Sequence, residues 1–136
     1  MITIVAGGRD FTDGEMAMRA LDQADVMLGG ICGVIEGGQR SRVKGKTVGG
    51  GDWWGLQWAI ARGVPYETMP ADWARWGRAM AGRMRNQAMI TRWRPGALVA
   101  LPGNEGTADM IERAQRARME VLTVDHTGLV ERLQEC

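Results

Sequence analysis

The sequence predicts a Rossmann-like α/β fold: three layers, with helices on both faces of a mainly parallel sheet. Three observations carry that expectation. Short runs of β-branched and aliphatic residues alternate with segments whose apolar residues recur at helical spacing, the pattern of successive β–α–β units. Glycine stands at the ends of most of these runs, where a strand must turn into a helix. The length of 136 residues, with 45% hydrophobic and 24% charged, suits one domain with an ordinary polar surface. No internal repeat or linker interrupts residues 1–136.

The elements follow in order. Ile2 to Ala6 is a short apolar run stopped by Gly7-Gly8 and reads as a buried strand. Asp13 can cap a helix on which Ala17, Leu21, Ala24 and Leu28 share a face, and Gly29-Gly30 ends it. A second strand, Ile31 to Glu36, runs into Gly37-Gly38 and a glycine-rich loop reaching Gly51. Asp52 can cap the next helix, which runs to Arg62 and stops at Gly63. Val64 to Met69 is a third strand, followed by a loop or short helix with Trp73 and Trp76 and by a longer helix from Ala79 to Trp93. Pro95-Gly96 breaks that helix before a fourth strand, Ala97 to Leu101. Thr107 to Arg118 reads as a helix with Met110, Ile111, Ala114 and Ala117 inward, Glu120 to Val124 as a fifth strand, and Leu129 to Leu133 as a short final helix.

Composition excludes several functions. Glycine is abundant, 20 residues against 4 prolines, but has no G-X-Y period, so collagen-like and low-complexity chains are ruled out. Net charge is +1, from 17 basic and 16 acidic side chains. That lacks the concentrated single-sign field of a DNA coat or a polybasic membrane binder. The opening MITIVAGG is too short for a signal peptide, and no stretch approaches a membrane span, so a cytoplasmic protein without membrane partner is expected. Cys32 reads as a buried small hydrophobe and Cys136 as a free terminal thiol. His126 has no ligating neighbours and Ser41 is the only serine, so neither a metal site nor a serine triad is expected. No cofactor is expected either.

In an open parallel sheet, ligands bind beyond the carboxyl ends of the strands. Half of the 20 glycines fall in three turns predicted there, at 7 and 8, between 37 and 51, and at 103 and 106. Glycine in such turns brings backbone amides close to a ligand oxygen, and a helix starting next to the turn adds its own unpaired amides. The named fingerprints are missing, however. Gly45-Lys46-Thr47 matches the end of a Walker A loop, but Arg40 occupies the position of its first glycine, and no G-x-G-x-x-G follows the first strand. Pro102-Gly103-Asn104-Glu105-Gly106-Thr107 can present several amides and a hydroxyl to one phosphate. Arg85 and Asn86, on the long helix, can add a bidentate partner, whereas Arg83 reads as a solvated charge. Glu36 lies where a carboxylate could bond a ribose hydroxyl.

Taken in order, these segments resemble the SLOG superfamily, which groups the SMF/DprA proteins with the Lonely Guy phosphoribohydrolases, and within it the YspA-like, cpYpsA-related branch of small bacterial and phage proteins. The resemblance rests on Gly7-Gly8-Arg9-Asp10-Phe11, on Gly37-Gly38-Gln39-Arg40 with Gly50-Gly51-Asp52, and on Trp58-Ala59 with Gly63. It continues through Ala71-Asp72-Trp73, Arg85-Asn86-Gln87-Ala88-Met89 and the Pro102 to Thr107 turn. It implies a nucleotide-binding Rossmann-like domain that senses, sequesters or processes a small nucleotide-derived ligand. Gly8, Arg9, Gly37, Gly38, Arg40, Asp52, Arg85, Asn86, Pro102, Gly103, Asn104, Gly106 and Thr107 are the candidate contacts. The alternative it implies is cleavage of the N-glycosidic bond of a nucleoside monophosphate. In that case Arg85 matches the catalytic arginine, but the glutamate position falls on Met110, leaving neighbouring Asp109 as the candidate carboxylate. Single-stranded DNA binding, as in the DprA relatives, is disfavoured by the balanced charge.

Two further departures from the family pattern stand out. Asn104 replaces a glycine, which a turn at φ > 0 would tolerate. Residues 41–49 appear as an insertion in the second loop, either a surface excursion or a basic flap carrying Arg42, Lys44 and Lys46. Trp58 and Trp73 are expected in the core or in the interface of a homodimer or higher homo-oligomer. Trp53 and Trp54 are open between packing and stacking on a base.

Overall fold

The computed structural model describes residues 1–134, so Cys136 lies outside the described residues. Strands β1 (Ile2–Ala6), β2 (Gly33–Glu36), β5 (Tyr66–Thr68), β6 (Ala97–Ala100), β7 (Glu120–Val124) and β8 (Val130–Arg132) form one sheet in the order β5-β2-β1-β6-β7-β8. All its pairings are parallel except β7 with β8. A separate hairpin pairs β3 (Ser41–Val43) with β4 (Lys46–Gly49). The helices are α1 (Gly14–Met27), α2 (Gly51–Arg62), α3 (Trp73–Trp93) and α4 (Glu105–Arg116). This is the expected three-layer α/β fold.

Alternation along the strands divides the core. Val5, Ala97, Val99 and Leu122 point to one face, where α1 and α2 contribute Ala17, Leu21, Ala24 and Trp58. Ile4, Ala6, Leu98, Ala100 and Val121 point to the other, against Met89 and Ile90 of α3 and Met110 and Ala114 of α4. A sheet buried on both faces explains why β1 and β6 read as continuous apolar runs rather than as polar–apolar alternation. Trp58 is a core residue, 1% exposed, and its indole N–H donates to Asp22 at 2.9 Å.

Several local signals act as expected. The Asp13 carboxylate caps α1 by accepting from the Met16 N–H, and Gly63 ends α2 in the left-handed region at φ 67°. In α3 the short Trp73–Trp76 turn, capped by Asp72, is separated from the long part by Gly77, whose φ of 72° breaks the helix.

Other expectations are corrected. The terminal segment is strand β8 and not a helix. The Asp125 carboxylate accepts from the Thr127 and Leu129 amides, and Gly128 at φ 88° reverses the chain onto β7. Val130 and Leu133 then pack into opposite faces of the core, as the period of a strand requires. Residues 41–49 form an antiparallel hairpin whose two-residue turn, Lys44-Gly45, has φ of 51° and 78°, as a type I′ connection demands. Cys32 is exposed, because the strand begins only at Gly33. Ala117 is exposed beyond the end of α4, which starts at Glu105 rather than at Thr107. Of the two places expected for Trp73, core or subunit interface, the core is excluded, since the residue is 48% exposed and packs in neither core cluster.

The chain runs outward from β1 through β2 to β5, then returns to the other side of β1 with β6. Strand order therefore reverses between β1 and β6, and at such a switch point the loops leaving the two strands diverge and open a crevice.

Candidate functional site

The loops after β1, β2 and β6 meet at this crevice. The Gly8 amide donates to the Pro102 carbonyl at 2.9 Å, and the Gly8 carbonyl accepts from the Gly51 amide at 3.0 Å. The approach is too close for side chains: a Cβ on Gly51 would fall onto the Gly7 backbone, and one on Gly103 would collide with Thr107 and the Gly8 amide. Glycine is needed here for proximity. At Gly38, with φ of 81°, it is needed for conformation.

The meeting loops enclose a cleft of about 630 Å³, within the usual range for a small-molecule site. Of the sequence candidates, Arg9, Gly37, Asp52, Arg85, Asn86, Asn104, Gly106, Thr107 and Asp109 line it. Gly38 and Arg40 line an adjoining hollow of about 410 Å³ that shares Arg9, Gly37, Gln39, Trp73 and Arg85 with the cleft. Gly8, Pro102 and Gly103 stand behind the wall and hold the turns together. Sequence reasoning missed the contribution of Trp73, Arg78 and Met80 at the start of α3, and set Arg83 aside as solvated; all four line the cleft. The signal available was Gly77, whose φ of 72° sets the Trp73–Trp76 turn apart from the rest of α3.

Along the cleft, α4 begins without a side-chain cap, and Asn104, Glu105, Gly106 and Thr107 are part of the lining. The amides of its first turn at Glu105, Gly106 and Thr107 lack the intrahelical acceptors found further along, so they and the helix dipole favour an anion. Asn104 sits at φ −125°, so this turn needs no left-handed residue, and the expected positive φ there is not found.

Arg85 lies in the floor, 9% exposed. Its Nη1 donates to the Gly37 carbonyl at 2.5 Å and its Nε to Asn86 Oδ1 at 3.1 Å. Burial lowers its pKa from the ordinary arginine value, opposed by the charges of Asp52 and Glu36, though a guanidinium stays protonated. Asn86 extends the network, donating to Asp109 Oδ2 at 3.0 Å and to the Gly106 carbonyl at 3.3 Å. Asp109 is also paired with Arg113 at 2.9 Å. Burial works to raise its carboxyl, but the hydrogen bonds from Arg113 and Asn86 outweigh that and hold it below the usual range. Met110 is fully buried in the core beneath α4.

Two expected contacts are otherwise engaged. Arg40 reaches back to Glu36 through Nη1–Oε1 at 2.8 Å and Nη2–Oε2 at 3.1 Å, and its guanidinium lies 5.1 Å from the Trp53 ring centroid. Glu36, fully buried, also accepts from the Gly38 amide and the Thr68 hydroxyl. Both its oxygens are thus taken within the protein, so it is not available to a ribose hydroxyl. Trp54 is a packing residue, its indole N–H donating to the Phe11 carbonyl and its ring lying against Gly14.

Asp52 lines the cleft as expected but is not the expected cap of α2. Gly50 is the N-cap of α2, because the Gly49–Gly51 segment is pressed against the loop after β1, and Asp52 therefore falls in the first turn, 4% exposed and facing the cleft. Its Oδ2 accepts from the Gln39 amide at 3.1 Å. Burial raises its carboxyl to about 6, against the opposing pull of Arg85 and the Gln39 amide. Among the described residues no group of histidine, cysteine and acidic side chains is placed to hold a metal, and no helix is long and apolar enough to cross a membrane.

No protein-family model matches the chain, and no curated protein matches it in sequence.

Proposed function

We propose that this protein binds a small nucleotide or nucleotide-derived ligand in the cleft at the carboxyl edge of its sheet. One observation carries the reading: at the switch point between β1 and β6, an uncapped helix start and a buried arginine face the same cleft of about 630 Å³. The first suits a phosphate and the second suits polar groups further in. The resemblance to the SLOG superfamily points to the same ligand class. Binding without turnover is favoured over hydrolysis, since Met110 has no access to the cleft and the Arg113 and Asn86 bonds to Asp109 Oδ2 hold that carboxyl below the usual range, which makes it a weaker base. The cleft rim mixes Arg9, Arg78 and Arg83 with Asp10, Glu105 and Asp109, which suits a single small anion better than a nucleic-acid backbone. The exposed Trp73, Trp76 and Met80 are the surface a homodimer would use.

A thermal-shift panel of nucleoside mono-, di- and triphosphates, cyclic nucleotides and ADP-ribose at millimolar concentration tests this. A ligand present at one hundred times its Kd adds about 2.7 kcal/mol, and each kcal/mol raises Tm by roughly 3–5 °C in a domain of this size. At least one class is expected to produce a saturable rise of several degrees. A flat panel contradicts the proposal.

A further inference from the structure

Asp52 and Arg85 form an unusual pair. Both are at least nine-tenths buried, both line the cleft, and they carry opposite charges. Yet they are not among the ion pairs of the described residues, which join Arg40 to Glu36, Arg62 to Asp22, Arg113 to Asp109 and Arg116 to Glu112. Each keeps one polar atom free. Among the described residues, Oδ2 of Asp52 is used by the Gln39 amide but Oδ1 has no partner, and Nη1 and Nε of Arg85 are used but Nη2 has none. Among the described residues no fully buried side-chain polar atom lacks a hydrogen bond, so the two free atoms are open to the cleft that both residues line rather than sealed in the core. Gly37 lies between the groups, and a Cβ there would sit 2.5 Å from Arg85 Nη1 and 2.9 Å from Asp52 Oδ2. The glycine thus lets both side chains pack against the loop after β2 through their engaged atoms, which leaves Asp52 Oδ1 and Arg85 Nη2 as the acceptor and donor available on the cleft lining.

A phosphate does not suit this spot, because Asp52 presents an acceptor and, when ionised, a negative charge. A hydroxyl does: it donates to a carboxylate oxygen and accepts from a guanidinium at the same time. Resting on the nucleotide reading above, we propose that Asp52 and Arg85 together grip a ribose hydroxyl, making this floor the element that selects a ribose over a deoxyribose ligand. The phosphate then lies toward the start of α4. Glu36, the carboxylate that ends β2, is excluded from the role by its own bonds to Arg40, Thr68 and Gly38.

The test is calorimetric titration of wild type, Asp52→Asn and Asp52→Ala with three pairs of probes: AMP and 2′-deoxy-AMP, AMP and 3′-deoxy-AMP, and ribose 5-phosphate and 2-deoxyribose 5-phosphate. A site built around a hydroxyl rejects the analogue lacking it, since its buried polar groups are then left unpaired. Wild type is expected to prefer the ribose form at least tenfold in one or more pairs. Both variants are expected to retain deoxyribose binding while the preference falls to threefold or less. The wild-type preference is also expected to shrink below pH 6, as Asp52 gains a proton among its charged neighbours Arg85, Glu36 and Arg40, and to be independent of pH in Asp52→Asn. Equal binding of both sugars by wild type overturns the inference and leaves the nucleotide reading intact. Loss of every probe by the variants, with folding retained, overturns it as well by assigning Asp52 to the pocket's shape. Failure of wild type to bind any probe, with the wider thermal-shift panel also flat, removes the nucleotide reading itself.

Discussion

Arg40→Ala is expected to destabilise the fold by about 3 kcal/mol, a large share of what holds a domain together. Glu36 is fully buried, and Arg40 supplies two of its hydrogen bonds and the only cation in contact with it among the described residues. Truncation leaves the carboxylate with the Gly38 amide and the Thr68 hydroxyl alone. An uncompensated buried charge costs more than the pair contributed, because the desolvation of the remaining ion is no longer repaid. The stacking of Arg40 on Trp53 is lost too, worth roughly 1 kcal/mol or less at a partly exposed site. Urea denaturation of wild type, Arg40→Ala and Arg40→Ala/Glu36→Gln checks this. The double variant is expected to recover part of the loss, since its amide carries no charge. A loss below 1 kcal/mol in the single variant contradicts the buried-pair account and returns Arg40 to the pool of free ligand contacts.

The second large effect concerns pH. Asp52 has a carboxyl raised to about 6 from an ordinary 3.8 by burial. Its folded pKa exceeds its unfolded one, so the folded state binds the proton more tightly, and stability from this group is present below pH 3.8 and lost as pH rises through 6. Between pH 4 and pH 7 that amounts to about 2 kcal/mol. Asp109, Asp22 and Asp125 are held below the usual range, so they contribute in the opposite direction, with stability lost on acidification. Comparison with Asp52→Asn cancels these shared groups. The difference in unfolding free energy is expected to change by about 2 kcal/mol over that range, wild type becoming relatively weaker toward neutrality. Parallel pH profiles contradict the burial argument.

These two residues also show where sequence reasoning stops. The parallel strands, the Asp13 cap and the Gly63 stop are local signals and stand as expected. The gathering of three glycine turns at one edge follows from βα topology, and the backbone contacts of Gly8 with Pro102 and Gly51 realise it. Asp52 reads locally as a cap and, through the family resemblance, as a ligand contact; the pressure of the Gly49–Gly51 segment against the loop after β1 moves the cap to Gly50 and leaves the carboxylate in the first turn, facing the cleft. Glu36 and Arg40 read as two separate ligand groups, because their pairing depends on a loop that curls back after β2. Leu129 and Leu133 imitate a helical spacing, yet the Asp125–Gly128 turn delivers the segment to β7 as a strand. Trp73 reads as core or subunit interface by residue type, and the structure leaves it exposed on the turn that Gly77 sets apart from the rest of α3.

The most direct test of the nucleotide site is the position of a ligand in a crystal of this protein soaked with the strongest stabiliser from the thermal-shift panel. The expected density lies in the cleft between the loops after β1, β2 and β6, with a phosphate against the amides of Gly106 and Thr107 and the sugar toward Arg85 and Asp52. Density elsewhere, such as along the Trp53–Trp54 face of α2, with the cleft empty, contradicts the assignment.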